Sequence, residues 1–252
     1  MISRIKLNNI AIILSHTQIP ENIGASARAM NNMGLSQLIL VNPKSYDLNR
    51  IYKTATSASL NIIKKLRIYD DLEEAIGDFQ YVVGSTARIG VNRPAQTRPR
   101  QLARQLISLS ENNKVALLFG REDCGLSNEE LRYCHTIVSI PTIKFSSLNL
   151  AHAVLILCYE LSLVSTDIEL KSIPRLANKF ELEGMYGHLK DLCTKIGFID
   201  IQNPEHWMNN IRRFLSRFPL RAKEVRIIRG LCRQIDWYTG QKSKHEDKKN
   251  NV

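Results

Sequence analysis

The first two thirds of the chain repeat one pattern, and that repetition constrains the fold more than any other feature. A short branched apolar run comes first, a helix-forming stretch follows, and the pair recurs. Asn9–Leu14 (NIAIIL) is apolar without alternation, as in a strand buried on both faces. Asn22–Met33 then has helical character and stops at Gly34, a residue suited to a helix C-terminus. Gln37–Val41 reads as the next strand, ended by Asn42-Pro43. Ser59–Leu66 and Asp71–Ile76 read as short helices, and Tyr81–Val83 as a strand running into Gly84-Ser85-Thr86. Lys114–Phe119 and Thr136–Ile140 are two further strands, and between them Ser127 and Glu130 have the spacing of a capping box. Leu148–Leu163 reads as a long apolar helix. Strands alternating with helices predict an α/β domain with a largely parallel sheet covered on both faces.

Two stretches depart from this rhythm. Residues 88–100 (RIGVNRPAQTRPR) hold two prolines, four arginines and almost no large apolar group, so they read as an exposed basic loop. Past residue 165 the strand signal fades. Ile173-Pro174 marks a linker, and Lys179–Ile196, Pro204–Phe218 and Leu220–Tyr238 read as three helices. The polar, charged tail from Gln241 reads as disordered. The expected organisation is an α/β domain over 1–165, a linker over 166–175, a basic helical domain over 176–240 and a tail over 241–252. A length of 252 residues allows this, at roughly 150 residues per domain.

Charge narrows the partners. Lys and Arg total 35 against 24 Asp and Glu, a net charge of +11, which suits a polyanion: nucleic acid or an anionic membrane surface. Residues 1–165 carry 18 basic and 13 acidic groups; the much shorter 166–252 carries 17 and 11. Arg226, Arg229 and Arg233 are spaced i, i+3, i+7, one stripe of a helix that either meets successive phosphates or is a solvated face. Leu148–Val164 is interrupted by Asn149, His152 and Glu160, so it falls short of the ~20 apolar residues of a membrane span. The N-terminus lacks a small-residue cleavage site. Five cysteines, an odd number without a C-x-x-C pair, argue against a disulfide scaffold and a structural zinc site. The expectation is a soluble, cytoplasmic protein.

In parallel sheets ligands bind at the carboxyl ends of strands, so candidate chemistry lies at four strand–loop junctions. The first, HTQIPENIGASARAM, places Asn22 and Arg28 around small residues at Gly24–Ala27, which permit close backbone approach, as for a phosphate or nucleotide. Arg28 offers a planar donor fork suited to phosphate. The second is VVGSTAR, the third LLFGREDCGLSNEEL with Gly120, Arg121 and Glu122, and the fourth IPTIKFSSLNLAHAV, where Ser146, Ser147 and Asn149 precede the apolar helix. Polar residues there equally serve as N-caps. His152, in that helix, reads as a packed helix–helix residue. No G-x-G-x-x-G follows the first strand, no Walker lysine motif or H-E-x-x-H occurs, and the histidines form no ligand-spaced cluster, so no metal is expected. Cys124 lies beside Arg121 but has no paired base to make it a nucleophile.

NIGASARAMNNMG, FGREDCGLSNEEL and SSLNLAHAV resemble the three signature motifs of the SpoU branch of the SPOUT RNA methyltransferases. Within that branch the chain is most similar to the bacterial tRNA ribose 2'-O-methyltransferases. The resemblance extends to VVGSTAR and to the ELEGMYGHL and LRAKEVRIIRGL segments, covering most of 8–235. It implies a SPOUT-type parallel sheet with a C-terminal trefoil knot, plus a small C-terminal helical domain. It also implies S-adenosylmethionine bound by Ser85, Thr86, Ala87, Gly120, Ile140, Ser146, Ser147 and Leu148. The family works as a homodimer whose first-motif arginine comes from the neighbouring protomer, so Arg28 is the implied catalytic residue, supported by Asn22, Glu122, Ser147 and Asn149. The implied substrate is tRNA, at cytidine or uridine 32 of the anticodon loop, with Arg28, Arg226, Arg229 and Arg233 as RNA contacts. Alternatives are another tRNA or ribosomal RNA nucleotide, or an RNA-binding protein that keeps the fold without catalysis. The PTIKF segment is shorter and more basic than the family's pattern, and its Lys144 is either an RNA contact or a solvated loop residue.

Overall fold

The computed structural model describes residues 3–87, 95–143, 147–166, 173–199, 204–216 and 218–249. The chain divides into two units, Met1–Arg175 and Leu176–Val252.

The first unit is built on seven strands: β1 (Ile10–Ser15), β2 (Gln37–Val41), β3 (Arg67–Tyr69), β4 (Tyr81–Ser85), β5 (Ala95–Thr97), β6 (Val115–Phe119) and β7 (Thr136–Val138). Across the sheet they run β3-β2-β1-β6-β4-β7-β5, with every pair parallel. The chain builds outward from β1 to one edge, then crosses to build the other half, so the order reverses beside β1. A crevice opens at such a switch point. The central strands β1 and β6 are buried along their whole length. Ile13, Ile39, Val82 and Leu118 share one core with Leu72, Ile76 and Leu131. The alternate residues Ile12, Leu14, Leu40, Val83 and Leu117 are as deeply buried, so the opposite face is covered too. That two-sided burial is why these strands lack polar alternation.

The helices of this unit are α1 (Pro20–Asn32), α2 (Leu48–Thr54), α3 (Leu60–Lys65), α4 (Leu72–Ile76), α5 (Pro99–Leu109), α6 (Asn128–Arg132) and α7 (Leu150–Leu163). Helix α1 begins at Pro20, whose fixed φ suits the first helical position, and so takes Asn22 into its first turn. Ser127 and Glu130 form the expected capping box of α6. A short antiparallel ribbon pairs Ser3–Arg4 with Ser165–Thr166.

The basic stretch 88–100 differs from the loop expected of it. Residues 88–94 lie outside the described residues, but Ala95–Thr97 pairs with β7 as an edge strand and α5 starts at Pro99. Strand β3 at the opposite edge was equally unmarked. An edge strand bonds on one side and packs on few neighbours, so neither AQT nor RIY needs an apolar run. The linker expected at 166–175 falls largely outside the described residues.

The second unit contains α8 (Lys179–Lys195), α9 (Pro204–Leu215) and α10 (Ala222–Lys249) around Met185, Tyr186, Met208 and Val225. Asn178 and Glu181 cap α8 reciprocally. Helix α10 continues to Lys249, through most of the tail expected to be disordered. Beyond Gly240 that tail holds no proline or glycine, and its lysines, glutamate and glutamine are compatible with helix.

Candidate active site

The carboxyl ends of β1, β4 and β6 lie side by side, and each is followed by a loop that sequence marked as functional. After β1 the chain turns at His16, which takes a φ of 54°, while its amide donates to Val41 O at 2.8 Å and ties β1 to β2. After β6, residues Gly120–Gly125 fold back on themselves. The Gly125 amide donates to Arg121 O at 2.8 Å, with Gly125 in the left-handed region at φ +67°. A β-carbon on Gly120 would overlap the Gly125 carbonyl and the Leu126 nitrogen. Only glycine closes this turn.

Glu122 knits the junctions together. One carboxylate oxygen accepts from Thr17 Oγ1 at 2.8 Å, from Asn22 Nδ2 at 2.9 Å and from the Ile19 amide at 3.3 Å; the other accepts from the Gln18 amide at 2.9 Å. Asn22 Oδ1 in turn accepts from Asn149 Nδ2 at 3.0 Å. Asn149 Oδ1 caps α7 by accepting from the Ala151 and His152 amides at 2.9 and 3.3 Å. Three junctions distant in sequence are thus joined by one polar chain, Glu122–Asn22–Asn149, ending on a helix. Burial pushes the Glu122 carboxyl up, but the bonds from Asn22, Gln18 and Thr17 outweigh it and hold its pKa below the ordinary value.

A depressed folded-state pKa makes Glu122 stabilising above the ordinary glutamate value of 4.5, and that contribution is lost as pH falls through the folded value. Glu122→Gln is therefore expected to lower the melting temperature at neutral pH, with the gap to wild type narrowing as pH drops below 4.5. Melting curves from pH 3.5 to 7 check this; a gap independent of pH would remove the ionised carboxylate from the argument.

Beside this network lies a cleft of about 390 Å³, within the size range of small-molecule sites. Ser85, Thr86, Ala87, Gly120, Ile140, Ser147 and Leu148 all line it. Ser146 and Lys144 fall outside the described residues. Phe119, Leu150 and Ala153 add apolar wall that sequence did not single out, while Arg121, Asp123 and Cys124 form a polar rim. Arg121 holds Asp123 in a two-pronged pair at 3.0 and 2.6 Å, and keeps that carboxyl far below its usual range. Thr17 and Gln18 were also missed. Their signal was position alone, directly after a strand's carboxyl end.

Other candidates sit elsewhere. Arg28 is exposed on α1, makes no ion pair among the described residues, and does not line the cleft of its own chain. The small residues around it do not serve ligand approach. A β-carbon at Gly24 would overlap Ile51 O and the Thr54 hydroxyl, and Ser26 and Ala27 are fully buried, so this run lets α1 seat against its neighbouring helices. His152 is exposed rather than packed: it lies in the first turn of α7, three residues after the capping Asn149, to which its amide donates. None of the five cysteines is in a disulfide. Among the described residues no His, Cys, Asp and Glu cluster could hold a metal, and no helix is long and apolar enough to cross a membrane.

Residues 9–159 match the model of the SpoU rRNA methylase family. The chain belongs to the SpoU methylase family. Residues 180–249 match the model of the C-terminal domain of the tRNA methyltransferase TrmJ. Among curated SpoU methylases, the tRNA (cytidine/uridine/adenosine-2'-O-)-methyltransferase TrmJ of Pseudomonas aeruginosa is 39% identical, over 89% of this chain and 93% of the relative. The tRNA (cytidine/uridine-2'-O-)-methyltransferase TrmJ of Yersinia pestis is 37% identical over 91% and 92%. The crystal structure of TrmJ from Z. mobilis superposes with a TM-score of 0.76 at 33% identity, covering 90% of this chain and 98% of that one. Against this SpoU methylase background the cleft occupies the sheet end where β4 and β6 terminate.

In the second unit, α10 carries the arginine stripe. Arg226 and Arg233 are exposed, the former with Nε donating to Ala222 O at 3.4 Å. Arg229 is half-buried and turned onto α8, where a β-carbon on Gly184 would lie 3.5 Å from its Nη1.

Proposed function

We propose that the protein is an S-adenosylmethionine-dependent methyltransferase that methylates the ribose 2'-hydroxyl of a tRNA pyrimidine, cytidine or uridine 32 of the anticodon loop. The observation that carries this is the cleft. Its position at the carboxyl ends of β4 and β6, its apolar wall beside the hydroxyls of Ser85, Thr86 and Ser147, and the turn that only Gly120 closes suit a nucleoside with a flexible tail. Bound there, S-adenosylmethionine would supply a methyl group on a sulfonium. The chain's own task is then to align the 2'-oxygen with that methyl and to accommodate the proton the oxygen loses, and orientation alone supplies much of the gain. Asn22, Glu122 and Asn149 are positioning residues that hold the junctions in register, with Ser147 at the cleft mouth. Arg28, reaching the cleft of a neighbouring protomer in a homodimer, holds the adjacent phosphate and stabilises charge developing on the 2'-oxygen.

The substrate class rests on the relatives' naming as tRNA 2'-O-methyltransferases and on the basic helical unit; nucleotide 32 rests on the family resemblance and cytoplasmic action on the substrate. Labelled methyl transfer from S-adenosylmethionine to total tRNA, followed by mapping of the modified nucleotide, tests it. Label at another tRNA or ribosomal nucleotide would reassign the target. Cofactor titration without heat would leave an RNA-binding protein. Reversing Arg226, Arg229 and Arg233 to glutamate is expected to weaken tRNA binding and flatten its salt dependence; unchanged binding would assign α10 to packing.

A further inference from the structure

Helix α10 contains an arginine whose surroundings are incomplete. Arg229 is half-buried, its Nε is sealed from solvent without a hydrogen-bond partner, and it makes no ion pair among the described residues. Its neighbours Arg226 and Arg233 stay in water, where an unpaired guanidinium costs little. Arg229 is half-buried, and its Nε has left water without gaining an acceptor, which is unfavourable. A second orphan lies on the opposing helix: Nδ1 of half-buried His188 is sealed and unbonded. His188 follows Gly184 by one turn, so it shares the face of α8 on which the Arg229 guanidinium lies. The helices run side by side in the same direction, with Ala177 N bonded to Leu220 O at one end and Lys195 paired with Asp236 at 2.6 Å towards the other. Between Gly184 and His188 the surface is open, since a β-carbon at Gly187 would meet nothing within 4 Å.

We propose that the seam of α8 and α10 at Arg229, His188 and the bare backbone of Gly184 and Gly187 is a phosphate site that takes one phosphodiester of the RNA backbone. The missing partner must be an anion, must offer acceptors to a planar fork and to a ring nitrogen, and must tolerate partial burial. A phosphate meets all three requirements. The choice of an RNA phosphodiester rests on the RNA-methyltransferase reading above and on the flanking Arg226 and Arg233. The site makes Arg229, the least exposed of the three arginines, the one that matters most for affinity. The bare backbone of GMYGH leaves this side of the seam uncrowded: a β-carbon at Gly184 would only touch the guanidinium, at 3.5 Å, and one at Gly187 would meet nothing within 4 Å.

A phosphate site of this kind trades stability for binding, which separates it from a packing role. In phosphate-free, low-salt buffer, Arg229→Met in the full chain is expected to melt higher than wild type, because a half-buried guanidinium with an unsatisfied Nε is gone. Inorganic phosphate should raise the melting temperature of wild type and not of the variant. Direct binding of tRNA, which needs no methyl transfer, should weaken about tenfold with a salt slope shallower by about one. The exposed control Lys223→Met should lose clearly less. Arg229→Lys, which keeps charge and stem without the fork, should fall between wild type and Arg229→Met, and His188→Leu should also weaken tRNA binding. A lower melting temperature for Arg229→Met with tRNA affinity equal to the control would make Arg229 a packing residue and overturn the site. Loss of the phosphate effect with tRNA affinity equal to the control would assign a small free anion and overturn the RNA assignment. A wild type that binds tRNA through Arg229 but transfers no methyl group would sink the catalytic reading alone.

Discussion

Arg28→Ala is expected to lower methyl transfer by a factor on the order of 10²–10³ while S-adenosylmethionine affinity stays within about twofold of wild type. The separation follows from where the side chain is. Arg28 projects from the exposed face of α1 and is absent from the walls of its own cleft, so its removal leaves the cofactor pocket intact. In the role proposed for Arg28, what is lost is a cation beside the reacting oxygen, an interaction that strengthens as negative charge develops there. Its pattern should be a fall in kcat larger than any rise in cofactor KM. Single-turnover transfer together with calorimetric cofactor titration measures both. A cofactor affinity that falls in step with the rate would place Arg28 in cofactor binding and remove the role given to it.

How much of this was legible in the sequence depends on what each residue depends upon. The inner strands were legible because two-sided burial demands apolar residues at every position, as NIAIIL and VALLF show. The edge strands were not, since Arg67–Tyr69 and Ala95–Thr97 satisfy half as many constraints. Helix α5 had a signal that went unread: Leu102, Ala103, Leu106 and Ile107 are spaced for one helix face, but the prolines and arginines before them dominated the segment. In the site, the residues of the strand ends were legible because parallel strands deliver their following loops to one place. The Glu122–Asn22–Asn149 chain was not. Each residue type has many local uses, and only the folded sheet brings their side chains within 3 Å. The small residues beside Arg28 were legible as a close approach, yet whether the visitor was a ligand or helix α2 depended on α2, which had no strong pattern of its own. Arg229 is the same lesson in the other unit. Spacing put it on a stripe with Arg226 and Arg233, while its partial burial beside Gly184 depends on helix α8, earlier in the chain.

Gly120→Ala is the second large effect, and it acts on the opposite half of the site. The new methyl group would meet main-chain atoms of Gly125 and Leu126, which have no rotamer to retreat into, so the turn from β6 must open. That turn forms one wall of the cleft and carries Glu122, whose bonds hold Thr17, Gln18 and Asn22. Cofactor affinity is expected to fall by more than about tenfold, with a loss of stability of about 1–3 kcal/mol from the strained backbone. Arg28 on α1 remains intact. Taken together, the two variants test whether the sites are shared between protomers. If Arg28 serves its neighbour's cleft, a mixed dimer of Arg28→Ala and Gly120→Ala has one site with both a sound cleft and a sound arginine. Random association of equal amounts should then recover about a quarter of wild-type activity, since half the dimers are mixed and each has one working site of two. If Arg28 serves its own cleft, every site in every dimer lacks one component and the mixture stays as inactive as its parents. Activity of the refolded mixture against each variant alone therefore decides between an arginine acting across an interface and one acting at home.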